Sequence, residues 1–576
     1  MITSTTTNTF YSIWRSSYLR NLIRGKINDG AVISVDLPYL DSYHEYLSSI
    51  DNSNNNRYIF IKLNIKDKDH FIEYLNHPFR HVINFLYFTD VVDISLLPLE
   101  PIPKIQQQRQ HNYMVWSKTI NHTYQIRFDC SLIPDSVVKL SVFAKDDVLC
   151  TGHLPDSITA LDVYKSSLFQ AHSSLVDYVL RNPPTKLKSL SLPNDFIMNV
   201  MSKYTLPSTL VDFHYMSSVE SLQSFVVSQQ EQQQKVLKGC TLVVKKLESF
   251  DWLHDNPWVT QVNLIVVPVT ERDPPIPLHV THITTTNVAM LNTDILPPGL
   301  ESLTCLSNLT IFSSRPPNLK YLYLDTYRNK LTPNLLPNTL EHLEIVVFNE
   351  PIDKGVLPPH LKTLCLESFD QDLREGVIPA SLTNLQLYRF KKLLRPSVLP
   401  AGLKNLFLYE FNNCATNLQA HSLPISLTSL SLNSYRGSYD CVGPLNNLKS
   451  LSIHSLHPSL SRLVSNVETI KISFTSIDTH TSNSKKSKES EPSVTTNLVN
   501  TTIQNLVISY QPTSSKAYDT KFHLYPEFLP FSLVKLETIG VEIHSAGLFP
   551  KSCVYLKTDM KNLNLELIPP TVKYIK

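Results

Sequence analysis

Glycine is the conspicuous shortage in this chain: 12 residues among 576, against 38 prolines. Loops that cradle phosphate with bare backbone need glycine, and no GxGxxG, GxxxxGK or GxSxG is present. Turns must instead be set by proline and asparagine, which fix or tolerate turn dihedrals in different ways. Charge is also thin. Charged residues make up 18%, below the roughly 25% of an average globular domain, and the net charge is only +2. Neither nucleic acid nor an anionic membrane is indicated by that balance. No apolar run approaches the roughly 18 residues of a membrane span, and the Thr/Asn-rich Met1–Phe10 lacks the apolar core of a secretory signal. The cysteines, at 130, 150, 240, 305, 365, 414, 441 and 553, are dispersed and form no CxxC. A zinc knuckle or redox pair is thereby disfavoured. Thiols on apolar positions read as small buried hydrophobes in a reducing, cytoplasmic setting. HExxH is missing too: His44–Glu45 has no second histidine at the needed offset. No catalytic residue, cofactor site or metal site is expected.

What is present is a repeat. Length alone would suggest several ordinary domains, but a chain that repeats escapes that limit because a solenoid grows in one dimension. The segments LPPGLESLTCL (from Leu296), RPPNLKYLYLD (Arg315), LPNTLEHLEIV (Leu336), LPPHLKTLCLE (Leu357), IPASLTNLQLY (Ile378), LPAGLKNLFLY (Leu399) and LPISLTSLSLN (Leu423) share one frame, P-x-x-L-x-x-L-x-L. Their first prolines fall at 297, 316, 337, 358, 379, 400 and 424, with four consecutive spacings of 21. Apolar residues stand at +3, +6 and +8 from the proline. The last two alternate with polar residues, as a half-buried strand requires. One unit cannot bury its leucines, whereas stacked units can, with parallel strands about 4.8 Å apart. The expected fold is a repeat solenoid, mainly β, with one short parallel strand per period and an N-terminal helix. Weaker copies follow Pro134, Pro155, Pro184, Pro207 and Pro277, and later Pro530, Pro550 and Pro569. RYIFIKLNI and HVINFLYF, before residue 90, read as the first atypical units.

The frame resembles the FNIP repeat family of social amoebae, a divergent relative of leucine-rich repeats. FNEPI at Phe348–Ile352, followed by LPPHL, is the nearest match to that family's phenylalanine-asparagine step; Phe369–Asp370, Phe390–Lys391 and Phe411–Asn412 are decayed versions. The resemblance implies a leucine-rich-repeat-like, non-enzymatic interaction scaffold that presents a concave parallel-sheet surface to a protein partner. The layout expected is a disordered tail over 1–9, an amphipathic helix over 10–28, atypical repeats over 29–129 and the array over 130–576. A polar insert at 478–496 has too little apolar content to order. The 10–28 helix carries Tyr11, Trp14, Tyr18 and Leu22 at helical spacing. It reads either as a cap on the first leucines or, by resemblance to F-box-like segments of the family, as the docking point for a Skp1-type linker. The second reading would make the chain a substrate-recognition subunit of a ubiquitin ligase.

Positions +5, +7 and +9 should line the outward face of the sheet. Candidate partner-binding residues there are Tyr321, Tyr323, Asp325, Glu344, Glu367, Tyr388, Phe407 and Tyr409. Tyr388 and Tyr409 share +9 in consecutive units and Phe407 sits two residues before Tyr409, so these three are expected to form one aromatic patch, with Tyr323 three strands from Tyr388. Large aromatics on an exposed strand face suit a binding hot spot, although cross-strand packing alone would also place them there. The carboxylates beside them suit a partner with apolar anchors and a few basic groups. Lysines recur at +4 (Lys320, Lys362, Lys404, Lys449), along one rim. The regular array offers no basic stripe for nucleic acid on the face.

Overall fold

Proline opens each turn of the regular array from Pro297 to Pro424. Its carbonyl accepts the N–H of the leucine three residues on: Leu361 from Pro358 at 3.2 Å, Leu382 from Pro379 at 3.1 Å, Leu403 from Pro400 at 3.1 Å. In Pro358–Leu361 the second proline takes the first central position of the turn, where a preset φ is wanted. The next two N–H groups then converge on one carbonyl of the preceding repeat. Lys362 and Thr363 both donate to Glu341, at 2.8 and 3.0 Å. A hydroxyl at +2 adds a further rung, as Ser381 donates to the Leu361 carbonyl at 2.7 Å and Thr339 to that of Leu319 at 2.9 Å. The register of each strand is therefore anchored before the strand begins.

The computed structural model describes residues 32–48, 59–89, 126–144, 148–165, 173–194, 202–228, 235–265, 275–286, 296–306, 316–411, 418–454, 459–475, 498–511, 527–560 and 563–575, together with Ile94, Phe196, Met198, Leu456, His457 and Phe522–Leu524. The tail expected over 1–9, the helix expected over 10–28 and the insert 478–496 lie outside them. The chain divides into two compact units, Met1–Asn263 and Leu264–Lys576. Each is a parallel β-solenoid.

In the second unit, the strands His282–Thr286, Ser302–Cys305, Tyr321–Leu324, His342–Ile345, Thr363–Leu366, Asn384–Leu387, Asn405–Leu408, Ser429–Leu432 and Ser450–Ile453 pair in sequence order, all parallel. Further strands through Tyr555–Thr558 and Tyr574–Ile575 continue the pattern. The +6 leucines Leu343, Leu364, Leu385 and Leu406 lie in one register row. They are buried, as are the +8 residues Leu366, Leu387 and Leu408. Behind them runs a second ladder at +11. Tyr327, Phe348, Phe369, Phe390, Phe411 and Tyr435 stack ring on ring, and the Phe348–Phe369 and Phe369–Phe390 planes are each within 3° of parallel, at 6.2 and 6.5 Å. The residue after the ring ties one repeat to the next. Asn349 Oδ1 accepts the Asp370 N–H at 2.7 Å, and Asp370 Oδ1 accepts the Lys391 N–H at 2.8 Å.

Three residues before Pro337, Pro358, Pro379, Pro400 and Pro424 the backbone turns left-handed. The positions are Asn334, Gly355, Gly376, Ser397 and His421, with φ between 61° and 79°. Only two of the five are glycine, so the fold accepts strain at the others. A Cβ added at Gly355 meets nothing within 4 Å. Gly355→Ala should thus lower unfolding free energy by about 1–2 kcal/mol through the dihedral alone. Ser397→Gly should move stability the other way by less than about 1 kcal/mol, because glycine also loosens the unfolded chain. Urea titration of both variants checks the pair; two changes of the same sign would show that φ is not the cause.

The first unit uses the same stack with longer returns. Strands Val32–Val35, Phe60–Ile65, Phe85–Phe88, Lys139–Ala144, Ala160–Lys165, Ser189–Ser191, Asp212–Ser217 and Lys238–Val244 pair successively in parallel. Helices the repeat frame did not predict occupy several returns: Leu37–Ser48, Lys68–Asn76, Ser174–Arg181 and Ser249–Asp255. An α-helix advances about 1.5 Å per residue against about 3.3 Å in a strand, so a return with extra residues fits the same span when it coils. The helix Ser174–Arg181 begins at Ser173, whose hydroxyl accepts the Val176 N–H at 3.3 Å, and buries Leu175, Val176, Val179 and Leu180.

Candidate functional site

The residues between the buried leucines of the regular array form its outward strand face. The +5 row runs Tyr321, His342, Thr363, Asn384, Asn405; the +7 row runs Tyr323, Glu344, Cys365, Gln386, Phe407. Asp325, Val346, Glu367, Tyr388 and Tyr409 follow at +9. Most of this face is half-buried, because side chains at adjacent strands cover one another; Cys365 is only 5% exposed and Tyr409 is 49% exposed. The expectation of an open face at +7 is corrected at Cys365, which is buried on this face.

Tyr388, Phe407 and Tyr409 do come together. Their ring centroids are 5.0 Å apart for Tyr388–Phe407, 6.4 Å for Tyr388–Tyr409 and 6.1 Å for Phe407–Tyr409. Tyr321 is elsewhere, stacked on His342 at 4.7 Å. Tyr323 stays with the carboxylates of Asp325, Glu344 and Glu367. Burial pushes its hydroxyl pKa up first, and those three carboxylates push it further. Tyr388 is raised by burial and then by Cys365, Glu367 and Glu344; the strand register sets Glu344 and Glu367 on the two strands between those of Tyr323 and Tyr388. Glu344 is itself raised, by burial and then by Glu367. Burial and the same two glutamates push the Cys365 thiol up to about 12, so it is no nucleophile at neutral pH.

Two of the four rim lysines are engaged across repeats. Lys362 pairs with Glu341 at 2.7 Å and Lys320 with Glu301 at 3.4 Å. These pairs are exposed and contribute little stability. On the face itself, the ionic contact Glu344 makes among the described residues is with His342, at 3.9 Å. Asp325 and Glu367 pair with no Lys or Arg there.

The first unit carries an aromatic face that its local sequence pattern does not disclose. Phe60, Phe85, Tyr87, Phe143 and Tyr164 line it, with Lys62 Nζ 3.9 Å from the Tyr87 centroid and Lys139 Nζ 5.1 Å from that of Phe85. Lys139 also pairs with Asp162 at 2.9 Å. The alternation in FIKLNI and FLYF is the available signal, but without a proline frame it does not reveal which strands are neighbours. Cysteines behave mainly as expected: Cys130, Cys240, Cys305, Cys365 and Cys553 are buried, Cys150 is half-buried, and Cys441 differs in being exposed. Among the described residues no group of three or more His, Cys, Asp and Glu could hold a metal ion, and no helix is long and apolar enough to cross a membrane.

Stacked parallel strands with inward leucines and an aromatic ladder behind them define a leucine-rich-repeat-like solenoid. Within it, residues 313–346, 348–389 and 369–410 match the family model FNIP Repeat. Among solved structures, CroV588, described as a novel circular LRR protein, is similar over 86% of this chain and 69% of its own, at 19% identity and a TM-score of 0.44. YopM from Yersinia enterocolitica WA-314 is similar over 74% of this chain and 83% of its own, at 17% identity and a TM-score of 0.26. No curated protein matches.

Proposed function

We propose that the chain is a non-enzymatic protein-interaction scaffold whose outward strand face, from Tyr321 to Tyr409, receives a protein partner. The observation that carries this reading is the Tyr388–Phe407–Tyr409 cluster. The leucine rows and the +11 ring ladder already fill the core of these repeats, so the fold does not need three further rings on the solvent side. Tyr409 is exposed and Tyr388 and Phe407 are half-buried on in-register strands, so they present apolar area whose burial by a partner is favourable at about 25 cal/mol per Å². Aromatic side chains of this kind dominate interface energetics. Solenoids suit the role because each repeat contacts only its neighbours and its outer positions are free to vary.

The test is the double substitution Tyr388→Ala/Tyr409→Ala in the full chain. A partner identified by proximity labelling and confirmed with purified components should lose more than about 2 kcal/mol of binding free energy, roughly 30-fold in Kd. Circular dichroism and Tm should stay close to wild type. Unchanged binding to the double variant would remove this face as the recognition surface.

A further inference from the structure

We infer that the part of this face between Tyr323 and Tyr388 receives a guanidinium group, so that the partner presents an arginine-bearing extended segment. The inference rests on the scaffold reading above and adds the chemistry of the partner. Carboxylates of the same repeats fall into two sets. Away from the face several pair with lysines, Glu301 with Lys320, Glu341 with Lys362, Asp353 with Lys330 and Glu410 with Lys391, and others, such as Glu350, Asp372 and Glu375, stand exposed to water. On the face, Asp325, Glu344 and Glu367 have no lysine or arginine within ion-pair distance among the described residues, although lysines stand at the start of alternate strands. Glu344 is also partly withdrawn from water, its side chain 24% exposed. A half-buried group of like charges with no lysine or arginine beside it is a cost to the free chain, and a cationic partner relieves it.

Aromatic rings flank these carboxylates. Tyr323 lies in register with Glu344 on one side, and on the other Tyr388 follows Leu387 as Glu367 follows its register partner Leu366. Aromatic faces attract cations, and a planar guanidinium can stack on a ring while its fork reaches carboxylates on adjacent strands about 4.8 Å apart. A point-like ammonium offers no such fork. Strand spacing adds a second requirement. The strand of Phe407 and Tyr409 is two strands beyond that of Glu367, about 10 Å away, which an extended segment crosses in about three residues. The partner motif is therefore an arginine with an apolar or aromatic residue about three positions along.

The experiment selects random 12-residue peptides on the full chain, then measures a synthetic representative by fluorescence anisotropy. Arginine should be enriched, with an apolar residue near the third position beyond it. Glu344→Gln/Glu367→Gln should weaken binding at least tenfold, Tyr388→Ala/Tyr409→Ala likewise, and replacing the peptide's arginine by lysine severalfold. Stability supplies a readout that a merely structural role would not give. The Glu344 carboxyl is held above its unfolded value, so its contribution to stability is favourable below the unfolded pKa of about 4.3 and is lost as pH rises through the folded value. The groups that interact with it are Glu367, His342, Tyr321, Tyr323, Cys365 and Tyr388. The glutamine variant should accordingly melt at or above wild type at pH 7 while failing to bind. Absence of arginine enrichment, or equal binding by the glutamine variant, overturns the guanidinium assignment and leaves the scaffold face standing. Selected peptides that bind Tyr388→Ala/Tyr409→Ala as they bind wild type overturn both.

Discussion

Phe369→Ala should destabilise the second unit by about 3–5 kcal/mol, the range for removing a buried aromatic. The ring is 0% exposed and lies between Phe348 and Phe390, nearly parallel to both. Truncation removes the apolar burial and leaves a gap that the flanking rings close only by moving, and their positions are set by the strand register on either side. Stacked pairs are worth about 0.5–1.5 kcal/mol each beyond area, so the central member of a ladder loses two such contacts at once. Phe369→Leu keeps most of the volume and should cost less than about 2 kcal/mol. Because a solenoid couples nearest neighbours, the damage should be local. Hydrogen exchange should show loss of protection in Thr363–Leu366 and Asn384–Leu387 before the first unit is affected. A change in urea midpoint no larger for alanine than for leucine would show that the ladder carries no load.

Leu385→Ala should cost about 2–5 kcal/mol. This leucine is fully buried in the +6 row, in register with Leu364 before it and Leu406 after it. Its neighbour Gln386 points to the opposite face and is half-buried, so Gln386→Ala should cost less than about 1 kcal/mol. The two adjacent substitutions test the alternation that defines the repeat. Denaturation curves that do not separate them would mean that the inward and outward sets are wrongly assigned.

The proline frame makes the core rows legible in the amino-acid sequence, because turn, strand and alternation are all local. A proline fixes the turn, the leucine three on closes it, and positions two apart share a face. The same logic places Tyr388, Phe407 and Tyr409 on one side of adjacent strands, since four equal spacings of 21 put equivalent residues side by side. In the first unit, spacing varies and the frame fails. Strands such as Phe60–Ile65 can be recognised there, yet their neighbours and the helices that fill the longer returns cannot.

Local pattern alone specifies the repeat, its inward leucines and the roster of outward side chains. How those side chains meet depends on the assembled stack. Phe348 is visible as the family's step and Phe369, Phe390 and Phe411 as decayed versions of it, but their identity as one buried stack, closed by Tyr327 and Tyr435, exists only once the repeats are superposed in register. The left-handed positions at Ser397 and His421 carry no sequence mark, because neither residue advertises positive φ; the closing of each turn onto its neighbour imposes it. Cys365 is placed outward correctly by alternation and is nonetheless covered, since cover comes from residues about 21 positions away on either side. Likewise, that the rim carboxylates are paired and those of the face are not depends on lateral distances of a few ångströms between repeats, which local pattern does not encode.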